Sequence, residues 1–212
     1  LLCVAVLVIA FNIAINMMEI IWKDQVKLLY PNPNHFNAYM GKVLRATGVL
    51  STFIGFFLCG NMIRRLGWTL SALITPIIIL ITGSLFFGML LLKDNELLSG
   101  YTTMIGLTPL SLGVLFGTLQ NTITRSSKYT LFDATKEIAF IPLSPESKLK
   151  GKAAIDGIGS RIGKSGGSFV YQALFMIFGT ITMSTPFVGI FLSLVIFGWI
   201  AAVKSLGKQF HH

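Results

Sequence analysis

Asp156, Ser160 and Lys164 follow one another at intervals of four in an otherwise apolar stretch, and Arg161 stands three residues before Lys164. On a helix that interval puts the side chains on one face. Two cations beside a hydroxyl and a carboxylate are suited to holding an anion: the guanidinium offers a planar fork, the ammonium a compact point charge. Ionisable groups inside a bilayer are costly and mark functional sites. The expected chemistry is reversible binding of an anionic solute. An internal Asp156–Arg161 ion pair, which only neutralises buried charge, is the competing reading, and it leaves Lys164 unpaired. Gly159, Gly163 and Gly167 form a neighbouring stripe at the same spacing. Small residues so spaced let membrane helices pack closely.

A second set lies near the start of the chain. Glu19 has Asn16 three residues and Asn12 seven residues before it, so the three share a face, and Lys23 follows at i+4. Such a polar stripe faces a partner helix or a water-filled cavity, which makes Asn12, Asn16, Lys23 and Ser160 candidate lining. A plain interfacial Glu19–Lys23 pair is the alternative. Lys42 and Arg45 either snorkel outward or add positive potential at a cavity mouth.

Other chemistries do not fit. The run GKSG invites a P-loop reading, but the required glycine five residues upstream of Gly163 is Ile158. The acid–base signature of mitochondrial carriers fails because Ser144 and Ser147 stand where acids are required after Pro142 and Pro145. His35 has no second native histidine near it, no metal site is expected, and no nucleophile–base pair stands out.

The elements that must position these groups are membrane helices. The chain has 212 residues, is 53% hydrophobic and only 12% charged, with mean hydropathy +0.75. A soluble domain carries about 25% charge. The net charge of +9 therefore reports topology before it reports nucleic acid. Six apolar segments match the roughly 20 residues that a spanning helix needs: about 1–22, 36–62, 68–92, 101–124 with Pro109 inside, 153–179 and 187–205. Arg64, Arg65, Arg125, Lys128, the 136–152 lysines, Lys204 and Lys208 fall in alternate links and at the C-terminus. The positive-inside bias puts these in the cytoplasm. Within the link 125–152, Leu131, Phe132, Thr135, Ile138 and Ala139 recur at helical spacing. They predict a short amphipathic helix along the membrane face, ended by Pro142. Cys3 and Cys59 read as small packing residues. The start inside an apolar run is read as that of a piece of a longer polypeptide, and His211–His212 as a tag remnant.

The runs SSKYTLFDATKEIAFIPL and KLKGKAAIDGIGSRIGKSGGS, with INMMEIIWKDQVK, ALITP and AAVKSLG, closely resemble the ATP/ADP antiporters (nucleotide transport proteins) of chlamydiae, rickettsiae and plastids, and the wording is nearest the chlamydial members. The short basic turn GNMIRRLGW is similar to that of major-facilitator transporters. The resemblance implies an all-α membrane protein: six transmembrane helices over 1–210, helices 7–12, the C-terminal half of a major-facilitator-type twelve-helix transporter. It implies ATP/ADP exchange by alternating access in a bacterial inner membrane or plastid inner envelope. ATP and ADP are then transported substrates, with phosphate a further candidate, and no cofactor is required. The partners are the N-terminal six-helix half and membrane lipids. The family's essential Glu falls on Glu19 and its essential Lys on Lys164. Lys164 and Arg161 would bind phosphate, and Glu19 and Asp156 would gate or couple. Proton-coupled nucleotide uptake is the main alternative. A membrane enzyme acting on phosphorylated lipids is a remote one.

Overall fold

A computed structural model describes residues 1–104 and 106–210; His211 and His212, read as a tag remnant, lie outside them. Among the described residues the regular structure is helical throughout: α1 Leu2–Leu29, α2 Pro33–Phe53, α3 Gly60–Leu92, α4 Glu96–Met104, α5 Pro109–Ser127, α6 Asp133–Ala139, α7 Pro145–Ala153, α8 Ser160–Phe178 and α9 Ile181–Phe210. Three wider π-turns, Ile54–Cys59, Lys128–Phe132 and Ala154–Gly159, join α2 to α3, α5 to α6 and α7 to α8 without interrupting the helical path.

Among the described residues, three helical stretches are long and apolar enough to cross a membrane: Leu2–Leu29, Pro33–Leu92 and Met183–Lys208. The second would measure about 90 Å if straight, about three times the hydrocarbon thickness of a bilayer. It is broken at Gly67, whose φ of 76° and ψ of 173° leave the helical region. Only glycine adopts that conformation cheaply, so the chain breaks where Arg65 and Trp68 mark the basic turn. Gly179, with φ 72°, ends α8 in the left-handed region.

α1 is the hub. Phe11, Ala14, Met17, Ile21 and Val26 are fully buried, and α8, α9 and α5 pack around it. α3 covers α9 and α5, and α2 lies against α5. Gly117 admits Trp22 and Phe86 between α5 and α1: a Cβ there would come within 2.5 Å of one ring and 2.7 Å of the other.

Three expectations are corrected. The fourth helix does not begin near Tyr101 with Pro109 inside it. It begins at Pro109, because Thr108 and Ser111 form a reciprocal capping box across that first turn and proline has no N–H to lose there. The polar link does not begin at Arg125 either. Arg125, Ser126 and Ser127 belong to α5, and the helical path runs on to Ala139. The apolar stripe of 131–139 is helical as expected, but it is not laid along the membrane face. Leu131, Phe132 and Ala139 are buried, and the Phe132 ring stacks on Phe11 at 4.3 Å and meets Trp199 edge-on at 5.6 Å.

Candidate anion site

The seam between α1 and α8 fixes the site. A Cβ on Gly163 would lie 2.7 Å from Asn12 Cβ and 2.9 Å from the Ile9 carbonyl oxygen; one on Gly167 would lie 3.3 Å from the Ile13 oxygen. The glycine stripe therefore brings the two backbones into direct contact, as its spacing predicted. Asn16 Nδ2 crosses the seam, donating to the Lys164 carbonyl at 2.7 Å and to Ser168 Oγ at 2.8 Å. Asn12 is buried and donates to the Val8 carbonyl of its own helix.

Beside this seam a cavity of about 190 Å³ is lined by Asn12, Asp156, Ser160 and Lys164, and by Lys128, Asp133 and Lys136 from the α5–α6 path. Three ammonium groups face two carboxylates. Asp156 pairs with Lys136 at 2.9 Å, so the Asp156–Arg161 pair considered as an alternative does not form. Lys136 also lies 3.9 Å from Asp133. Burial pushes the Asp133 carboxyl above its ordinary value, and the attraction of Lys128 and Lys136 only partly offsets this. Ser160 Oγ donates to the Asp156 carbonyl. Among the described residues Lys164 Nζ has no ion-pair or hydrogen-bond partner. Arg161 is exposed and lines no part of this cavity.

Glu19 occupies a different place from the two asparagines. Its Oε1 lies 2.6 Å from Lys23 Nζ on its own helix and 2.6 Å from Arg125 Nη2 on α5. Both readings of Glu19 are partly met, since the Lys23 pair forms and the group also faces a cavity of about 290 Å³, lined further by Trp22, Thr47, Asn121 and Arg125. Behind Trp22, Thr118 Oγ1 accepts from Trp22 Nε1 at 3.1 Å and shares a hydrogen bond with Tyr39 OH at 2.6 Å. Lys42 and Arg45 are exposed and line neither cavity.

The sequence did not single out Arg125 as a functional residue, because it was read as the start of a basic link. A signal was present: Asn121 precedes it by four and Lys128 follows by three, continuing a polar stripe out of α5. The cavity between α3 and α9 is larger, about 540 Å³, but its lining of Gly83, Phe87, Leu91, Gly189 and their neighbours carries no charged group. It does not suit an anion.

A profile of the TLC ATP/ADP transporter family matches residues 1–210. The chain is 46% identical over 209 residues to ADP,ATP carrier protein 1 of Chlamydia muridarum, covering 99% of this chain and 39% of that protein. It is 41% identical over 207 residues to the chloroplastic ADP,ATP carrier protein 1 of Arabidopsis thaliana, covering 98% and 33%. It is 41% identical over 206 residues to the plastidic ATP/ADP-transporter of Solanum tuberosum, covering 97% and 32%. The chain thus spans about two-fifths of the length of its chlamydial relatives. No solved structure gives a significant match.

Proposed function

The chain belongs to the TLC ATP/ADP transporter family, and on that premise we propose that it forms the C-terminal six-helix half of a major-facilitator-type transporter exchanging ATP for ADP by alternating access. The N-terminal half supplies the opposite wall, and lipid covers the outer faces. The membrane is a bacterial inner membrane or its plastid equivalent, with the basic links and the C-terminus on the cytoplasmic side.

The observation that carries this reading is Lys164: an exposed ammonium without a partner among the described residues, on a backbone pinned to α1 by Asn16, lining a cavity with net positive charge. A nucleotide phosphate is a suitable counter-ion. Arg161, on the exposed face one turn earlier, meets the phosphate from the side that the other half covers. Asp156, held by Lys136, and Glu19, held by Lys23 and Arg125, are the gating groups. Lys164 is exposed here; closure against the other half would bury it, and an uncompensated buried ammonium costs several kcal/mol. The bound nucleotide removes that cost, so the loaded carrier crosses and the bare one does not. ATP carries about one more negative charge than ADP, and the membrane potential acts on that difference at about 2.3 kcal/mol per 100 mV.

The test uses the full-length parent protein in liposomes loaded with ADP. Lys164→Ala is expected to abolish exchange of external labelled ATP, and Lys164→Arg to retain part of it. Normal exchange by Lys164→Ala would remove the phosphate role.

A further inference from the structure

We propose that Arg125 is a nucleotide-contacting residue held in reserve by Glu19: an arriving phosphate draws the guanidinium off the carboxylate, and Glu19 stays with Lys23. The inference rests on the nucleotide-transport reading above.

The geometry carries it in four steps. Glu19 holds two cations on a single oxygen, each at 2.6 Å. The cluster has net charge +1, and one cation can leave without stranding the carboxylate. Lys23 sits at i+4 on the same helix, so departure of Arg125, which comes from α5, leaves an intrahelical pair behind. A guanidinium carries five N–H donors, and Arg125 spends only one on Glu19: among the described residues its buried Nε has no partner. Arg125 also lines the 290 Å³ cavity, where Asn121 and Thr47 add polar lining and Trp22 an aromatic ring.

The placement suits a polyphosphate better than a single small anion. α1 lines both charged cavities, with Asn12 in one and Glu19 in the other. Seven residues of helix separate them, about 10 Å. Lys128, one turn from Arg125, faces the Lys164 cavity. An extended phosphate chain lying along α1 therefore meets Lys164 and Lys128 at one end and Arg125 at the other.

Labelled-ATP affinity is measured on folded, monodisperse full-length protein in detergent for the wild type, Arg125→Gln, Glu19→Gln and the double variant. Exchange by the wild type in liposomes is measured alongside. Charge-assisted hydrogen bonds of this kind are worth roughly a tenfold change in affinity or more. Arg125→Gln is expected to weaken ATP binding at least about tenfold. Glu19→Gln is expected to tighten it, because the phosphate no longer competes with a carboxylate. The double variant should bind as weakly as Arg125→Gln. If the double variant instead regains wild-type affinity, Arg125 only neutralises Glu19 and the proposal is overturned. It is equally overturned if Arg125→Gln and Arg125→Lys both bind ATP normally. ATP binding without exchange by the wild type would reject the exchange reading yet still decide the role of Arg125. No ATP binding by the wild type would reject both.

Discussion

The side-chain amide of Asn16 is bonded to the backbone carbonyl of Lys164 at 2.7 Å and to Ser168 Oγ at 2.8 Å. Both of its N–H donors are used across the α1–α8 seam. Asn16 is thus the pin that sets the height and rotation of the segment carrying the free ammonium. Asn16→Ala, which loses two interhelical hydrogen bonds, is expected to lower the stability of the folded protein by about 1 kcal/mol, at roughly 0.6 kcal/mol for each such bond in a membrane protein. It should weaken nucleotide affinity as well, while Thr82→Ala, which loses only a bond within its own helix and lines neither charged cavity, should leave affinity intact. Thermal denaturation with and without ATP checks both.

The glycines of α8 should differ in tolerance according to what a methyl would meet. At Gly163 it would press on the Ile9 carbonyl oxygen at 2.9 Å, which is backbone and has no rotamer to yield. At Gly159 the nearest atom is Ile9 Cγ1 at 3.8 Å, an ordinary contact. Gly163→Ala is expected to destabilise by about 1–3 kcal/mol, the usual range for overpacking, and Gly159→Ala to stay close to wild type. Equal melting temperatures for the two variants would show that the seam is looser than described.

That seam was legible in the sequence because it is local: a four-residue glycine repeat beside a four-residue polar repeat needs only helical geometry. The break at Gly67 was marked by the adjoining basic pair for the same reason. The pairing of charges was not legible. Glu19 meets Arg125 across more than a hundred residues, and Asp156 prefers Lys136 to the nearby Arg161, choices that only the helix packing makes. The stripe at Leu131, Phe132 and Ala139 was recognised as one face of a helix, yet its partners Phe11 and Trp199 lie far off in sequence. Pattern alone therefore could not say whether lipid or protein would cover it. Thr108 and Ser111 cap α5 with a serine where the usual box has an acid, which hid the true start at Pro109.

Lys136 restrains Asp156 beside Lys164. Lys136→Ala should free that carboxylate to pair with Lys164 and compete with phosphate. The expected outcome is a several-fold weaker apparent affinity for external ATP, restored by adding Asp156→Asn. Equal affinity of Lys136→Ala and wild type would mean that Asp156 does not reach Lys164 when released.

Asp133 gives a pH-dependent test. Burial raises its carboxyl above the ordinary value of 3.8, so the folded state binds this proton more tightly than the unfolded chain does. The ionised carboxylate then destabilises the fold above the raised value, and the cost disappears once pH falls below the unfolded value. Asp133→Asn should therefore melt higher than wild type at pH 7, and the gap should close towards pH 4. A lower melting temperature for the variant at pH 7 would mean that attraction from Lys128 and Lys136 outweighs burial.

The role proposed for Lys164 is to hold nucleotide phosphate in an obligate exchanger. The most direct measurement is uptake of labelled ATP by liposomes bearing the full-length parent protein, loaded with ADP or with buffer alone at equal pH on both sides, beside the same protein with Lys164→Ala. Uptake is expected only into ADP-loaded vesicles, and none with Lys164→Ala. Uptake into vesicles without ADP, increased by an inward proton gradient, or unimpaired exchange by Lys164→Ala, would contradict it.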